Sequence, residues 1–143
     1  MNTDGKKVVL VGGCFDLIHF GHIYFLTEAK KLGDTLVVLL ESDETVRRLK
    51  GSTRPFHIQD QRKLMLEALR VVDHVICLSP MQTDAAYFSL IQQYRPTIIA
   101  LTDGDDKLEQ KKQQAQSIGA VIAVVPLCPN YSTSKLAKVL ALE

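Results

Sequence analysis

Two histidines three residues apart, His19 and His22, follow a pair of glycines, Gly12 and Gly13, with Cys14, Phe15 and Asp16 between them and Gly21 beside them. If both histidines stand at the start of a helix, they project from one face and converge on one anion. A neutral imidazole donates a hydrogen bond and a protonated one adds a full charge. Such a pair can follow negative charge as it develops on a transferring phosphoryl group. The glycines allow backbone amides to approach a ligand closely, and the first turn of the following helix leaves N–H groups without intrahelical partners, which suits phosphate oxygens. Two isolated histidines would more often cap and pack a half-buried helix start; here the glycines, Asp16 and the strand-to-helix junction favour an anion site. A metal site would need a further pair of ligands at helix or loop spacing, and no obvious pair is present.

Neither of the commoner nucleotide motifs occurs: there is no G-x-x-x-x-G-K-[ST], and Gly12, Gly13 and Gly21 do not make G-x-G-x-x-G. Instead, Gly13-Cys14-Phe15-Asp16 and His19-Phe20-Gly21-His22 resemble the G-x-F-D and H-x-G-H signature of the cytidylyltransferase-like nucleotidyltransferases, over roughly Lys7 to Leu140. The resemblance implies that a phosphate monoester attacks the α-phosphorus of CTP or ATP and pyrophosphate leaves. The attacking phosphate is already anionic, so the protein's task is alignment and charge stabilisation without a covalent intermediate. By the same resemblance His19 and His22 hold the α-phosphate and the bridging oxygen, and Lys50 reaches the phosphates. Arg62 contacts the acceptor or the triphosphate, with a helix-start salt bridge as its other use.

The resemblance also gives Gly12, Gly13, Cys14, Phe15, Asp16 and Gly21 to the nucleotide loop, and Thr102 and Asp103 to the nucleoside pocket. Tyr131-Ser132-Thr133-Ser134 is similar to the I-S-T-T segment whose hydroxyls and helix-start amides bind the β- and γ-phosphates. It departs from that pattern at Tyr131 and Ser134, and no arginine stands where R-x-x-G often precedes it. Mg2+ is implied with the triphosphate, held largely by phosphates and water. A homodimer is implied as well. Lys31-Leu32-Gly33-Asp34, Ser42-Asp43, Arg54-Pro55, Gln61-Arg62 and Val72-Asp73 look like the branches that activate small sugar or polyol phosphates, heptose-phosphate adenylyltransferases and glycerol-3-phosphate cytidylyltransferases. Archaeal-type FAD synthases, which adenylylate FMN, share much of this layout. CTP and ATP both stay open, and a nucleotide-binding module without turnover is the alternative of another class.

The elements that must position these residues read as alternating strands and helices. Val8 to Val11 is strand-like and ends at the glycines; from Gly21, Ile23, Leu26, Ala29 and Leu32 recur at helical intervals toward Gly33. Thr35 to Leu40 is a near-continuous apolar run, the pattern of a strand covered on both faces. Glu41-Ser42-Asp43-Glu44 caps a short helix over Thr45 to Leu49, and a basic loop follows from Gly51 to Phe56. Asp60 to Arg70 is helical, with Leu64, Met65, Ala68 and Leu69 as its expected apolar side, and Val71 to Leu78 returns to strand. A helix over Asp84 to Tyr94, a strand over Thr97 to Leu101, the polar loop Thr102 to Asp106, a polar helix over Lys107 to Ser117 and a strand over Ala120 to Val125 complete the alternation. A last helix opens at Ser132 and ends near Leu142. The pattern predicts a single-domain α/β fold over residues 1–143, a Rossmann-like, doubly wound parallel sheet of five strands with its ligand site beyond their carboxyl ends. The resemblance supplies the strand order 3-2-1-4-5.

The 143 residues, 46% hydrophobic and 23% charged, suit one globular core. Seventeen Lys+Arg against sixteen Asp+Glu leave a net charge of +1, which offers no broad footprint for nucleic acid or an anionic membrane. No run is long and apolar enough to span a bilayer, and a cytoplasmic protein is expected. Three widely spaced cysteines argue against a disulfide framework. Cys77 and Cys128 are expected to pack as small apolar residues, and Cys14 to be a bystander in the glycine loop.

Overall fold

The apolar run after Asp34 becomes the strand on which the rest is stacked. In the computed structural model, which describes residues 5–80, 83–128 and 132–140, eleven elements follow one another. They are β1 (Val8–Gly13), α1 (Phe20–Lys30), β2 (Thr35–Leu40), α2 (Asp43–Lys50), α3 (Gln59–Glu67), β3 (His74–Cys77), α4 (Asp84–Tyr94), β4 (Ile98–Thr102), α5 (Leu108–Ser117), β5 (Val121–Val125) and α6 (Thr133–Val139). All neighbouring strands pair in parallel, in the order β3-β2-β1-β4-β5. The expected topology therefore holds. No described helix is long and apolar enough to cross a membrane.

Alternation along β1 and β2 divides the core into two layers. Val9, Val11, Leu36, Val38 and Leu40 pack with Phe25, Leu26 and Ala29 of α1 and Leu66 of α3. Val8, Leu10, Val37, Leu39 and Ile99 pack on the other face with Ala115 of α5 and the half-buried Tyr87, Leu90 and Ile91 of α4. Because β2 sits inside the sheet with helices on both faces, each of its positions from Leu36 to Leu40 is buried. In the register, Gly13 lies opposite Leu40, so the glycine end of β1 and the end of β2 emerge together.

Three expectations change. The third strand is only His74–Cys77, because residues 68–73 form the turn that leads from α3 into the sheet. On α3 the buried residues are Arg62 and Leu66, whereas Leu64 is 66% and Met65 38% exposed. A satisfied guanidinium occupies the inward face, and that rotates the two apolar residues outward. Cys77, at the end of the edge strand, is exposed instead of packed, and Cys128 is half-buried.

Candidate functional site

Beyond Gly13 the chain makes a tight loop before α1, and Phe15 and Leu17 both adopt left-handed backbone, with φ of 47° and 52°. Residues bearing a Cβ pay roughly 1–2 kcal/mol each for that conformation, so the surrounding structure must hold it. Asp16 does much of this. Its carboxylate, buried with the residue 1% exposed, accepts hydrogen bonds from Arg54 Nε at 2.7 Å, from the Phe56 N–H at 2.7 Å and from the His57 N–H at 3.0 Å. Burial alone would raise its pKa; the two backbone donors and Arg54 outweigh that and hold the carboxyl below the usual range. The basic loop from Gly51 to Phe56 is thereby stapled to the glycine loop. Gly13 is needed for a steric reason, since a Cβ there would stand 2.9 Å from the Phe15 ring.

His19 is the N-cap of α1. Its Nδ1 accepts a hydrogen bond from the Gly21 N–H at 3.0 Å, and His22 Nδ1 accepts one from the His19 N–H at 3.2 Å, a reciprocal capping box built from two imidazoles. Since both Nδ1 atoms are acceptors, the ring proton of each neutral histidine resides on Nε2. The rings stack at a centroid distance of 4.0 Å, and Phe15 lies 5.5 Å from His22. Burial lowers the pKa of both, that of His22 to about 4, where His19 and Lys50 add to the effect against the opposing charge of Asp16. At neutral pH both rings are therefore neutral.

These rings border a cavity of about 600 Å3. Gly12, Gly13, Cys14, Phe15 and Asp16 line it from the end of β1, Gly21 from α1, Lys50 from the end of α2, and Thr102 from the end of β4. Ser132 lines it from the start of α6, its hydroxyl accepting a hydrogen bond from the Lys135 N–H at 3.0 Å. The cavity lies at the carboxyl ends of β1 and β4, between which the strand order reverses, where open α/β sheets bind ligands. Burial pushes the Cys14 thiol up, so it stays protonated and is a poor nucleophile.

Two expected residues do not reach this cavity. Arg62 is fully buried: it donates from Nε to the His57 carbonyl at 2.9 Å, from Nη1 to the Cys14 carbonyl at 2.7 Å and from Nη2 to Asp43, the first residue of α2, at 2.7 Å. It makes the helix-start salt bridge and ties the glycine loop to α2 and α3. Asp103 is exposed; it begins the turn after β4, and its N–H donates to the Val125 carbonyl at 3.0 Å. Tyr131 lies outside the described residues. Thr133 and Ser134 are described only as the first backbone turn of α6.

Other residues were not foreseen. Arg54 lines the histidine cavity, and so do Tyr24, Leu127 and Cys128. A second cavity, of about 430 Å3, shares Gly12, Gly13, Cys14, Phe25, Leu49 and Thr102 with the first and adds Glu41, Arg48, Tyr87 and Lys111. Two of these left a trace in the sequence, Glu41 as an acidic residue directly after an apolar run and Arg54 as part of the basic loop from Gly51 to Phe56. Among the described residues, no group of three or more His, Cys, Asp or Glu side chains could hold a metal ion.

The profile of the cytidylyltransferase-like family matches residues 10–139. The FAD synthase of Pyrococcus horikoshii is 41% identical over 128 residues, covering 89% of this chain and 84% of that protein. The bifunctional protein HldE of Campylobacter jejuni is 38% identical over 136 residues, and there the match covers 95% of this chain but only 28% of the longer protein. Among solved structures, the lipopolysaccharide core biosynthesis protein of Thermoplasma volcanium superposes with a TM-score of 0.71 at 29% identity, over 90% of this chain and all of that one. Pantoate-beta-alanine ligase from Francisella tularensis shares the fold, with a TM-score of 0.62 at 19% identity over 85% of this chain and 59% of its own.

Proposed function

This chain belongs to the cytidylyltransferase-like family, and from that premise we propose that it transfers a nucleoside monophosphate from CTP or ATP to a small phosphate monoester. A phosphate oxygen of the acceptor attacks the α-phosphorus, the bond from that phosphorus to the bridging oxygen breaks, and pyrophosphate carries away the electron pair. The observation that carries the proposal is the imidazole pair, two rings that line a cavity shared with the glycine loop, Lys50 and Ser132 and carry their ring protons on Nε2. Neutral donors fixed in advance need no reorganisation as charge builds on the bridging oxygen, and in a partly dry site they act more strongly than in water. His19 and His22 would hold the α-phosphate, Lys50 the anionic chain, and Ser132, with Thr133 and Ser134 after it, the departing phosphates. The described residues offer no metal cluster of their own, so Mg2+ enters the proposal as the counter-ion of the triphosphate, held by phosphates and water.

A second acceptor class has a specific observation behind it. The neighbouring cavity has a floor of Leu10, Leu39 and Ile99 facing Phe88 and Ile91, which suits the ring system of FMN and accords with the FAD synthase relative. A homodimer and a cytoplasmic location are parts of the same proposal. Exposed Phe56, Ile58, Leu64 and Met65, at and just before α3, are the kind of surface a second copy would cover, and sedimentation tests it. The reaction is tested by pyrophosphate release with CTP and ATP, each against phosphorylated polyols, phosphorylated sugars and FMN. Release with one pair well above the others is the expected outcome. Nucleotide binding without release from any pair would overturn the proposal in favour of a binding module.

A further inference from the structure

Helix α4 lies over the sheet with its inward residues only half-buried, and the space beneath it is the cavity of about 430 Å3. Leu10, Leu39 and Ile99 of the strands and Phe88 and Ile91 of α4 make most of its wall apolar. Into it intrudes a carboxylate. Glu41 directly follows β2, and its N–H donates to the Gly13 carbonyl at 3.0 Å, which fixes the residue beside the glycine loop. The residue is only 9% exposed. Oε1 accepts a hydrogen bond from the Tyr87 hydroxyl, while Oε2 is buried with no hydrogen-bond partner among the described residues. A buried acceptor left without a donor works against folding, and neither the glycine loop nor the imidazole pair uses it. A ligand's donor would complete it.

Placement says which ligand. Ser132 borders the histidine cavity alone and Glu41 borders only the second, and both cavities are lined by Gly12, Gly13 and Cys14. Displacement at phosphorus sets the entering and leaving oxygens roughly in line on opposite sides. If pyrophosphate leaves toward Ser132, the attacking phosphate arrives from the Glu41 side. Arg48 and Lys111, the latter paired with Asp105 at 2.7 Å, are cations on the same walls toward which an anionic acceptor would be drawn. A hydroxyl of a polyol set against the floor of Leu10, Leu39 and Ile99 would need a polar partner that these side chains do not supply, whereas a ring system would not.

We propose that the cavity under α4 is the acceptor subsite and that Glu41 determines its specificity: Oε2 receives an N–H or O–H from a phosphate monoester whose body is otherwise an apolar ring system. The inference rests on the nucleotidyl-transfer reading for the direction of attack, and its test is chosen to separate the two. Riboflavin 5′-phosphate and glycerol 3-phosphate are titrated calorimetrically into the unsubstituted chain, Glu41→Ala and Glu41→Gln, and CTP and ATP are titrated into the same proteins.

Riboflavin 5′-phosphate is expected to bind at least about tenfold more tightly than glycerol 3-phosphate, and to lose about tenfold or more in Glu41→Ala, the size of one charge-assisted hydrogen bond. Glu41→Gln, which keeps an acceptor oxygen and most of the packing, is expected to lose less; it also carries the test if the alanine variant does not fold. Triphosphate affinity is expected to stay unchanged. Equal binding of the two acceptors, ring binding indifferent to both substitutions, no ring binding by the unsubstituted chain, or a loss that falls on the triphosphate instead would each overturn the subsite. Ring binding that depends on Glu41 in a protein that never releases pyrophosphate would preserve the subsite and sink the transfer reading.

Discussion

The histidine pair is tuned by what surrounds it, and the tuning is measurable without any substrate. Folded His22 titrates at about 4 against an ordinary value of 6.5, so as pH falls the unfolded chain takes up this proton first. Its contribution to stability is therefore complete above about pH 6.5 and is lost as pH falls toward 4, a span worth on the order of 3 kcal/mol. Chemical denaturation at a series of pH values is expected to show that decline. His22→Gln, whose amide oxygen can still accept from the His19 N–H, is expected to lack it; an unchanged decline in the variant would place its source elsewhere. Below that window the depressed carboxyl of Asp16 takes over, its contribution being present above the ordinary carboxylate range and lost in stronger acid. Arg62 behaves differently. Removing a guanidinium that serves Asp43 and two backbone carbonyls in the interior leaves all three without it. Arg62→Ala is expected to cost roughly 3–5 kcal/mol in unfolding free energy, and Arg62→Lys, which cannot reproduce the fork, to recover little of it. An arginine whose only business was with substrate would leave stability alone and change KM.

At the scale of elements, what the sequence discloses depends on whether the deciding interaction is local. Helix α4 runs from Asp84 to Tyr94 as expected because its signals are adjacent to it: Thr83 accepts from the Ala86 N–H at 3.2 Å, and Arg95 turns left-handed just before Pro96. The glycine loop and the imidazole pair were legible for the same reason, since they lie within one strand-to-helix junction. Helix α3 was not legible in this way. Its inward face is chosen by Arg62 reaching the carbonyls of Cys14, 48 residues away, and His57, and apolar periodicity counts an arginine as outward. Glu41 and Tyr87, 46 residues apart, meet for an equally non-local reason. The glycine loop offers a direct check on how tightly the junction is packed. A methyl group at position 13 collides with the Phe15 ring, which is itself held in strained backbone. Gly13→Ala is therefore expected to cost roughly 1–3 kcal/mol of stability and to weaken triphosphate binding. Gly12→Ala, where a Cβ would have 3.8 Å to its nearest neighbour, is expected to keep its stability, so equal costs would mean that the ring does not set the limit.

Across the whole molecule, parallel strands in the order 3-2-1-4-5 bring the carboxyl ends of β1, β2 and β4 to one rim. Two adjoining cavities open there and share the glycine loop, one with imidazoles and a hydroxyl, the other with an apolar floor and the buried carboxylate of Glu41. Sheet order and ligand rim follow from general rules for βαβ units, whereas the second cavity arises from the loose seating of α4, a packing detail with no local signature. The proposed transfer assigns the Nε2–H donors of His19 and His22 to the reacting phosphate and not to folding. The most direct measurement is kcat for pyrophosphate release by His19→Asn, at saturating triphosphate and acceptor, beside its unfolding free energy. Asparagine retains an N-cap acceptor for the Gly21 N–H but lacks the Nε2–H. A fall in kcat of about 100-fold or more, with stability kept within about 1 kcal/mol, is the expected result. Turnover that survives the substitution, or that falls only in step with stability, would contradict it.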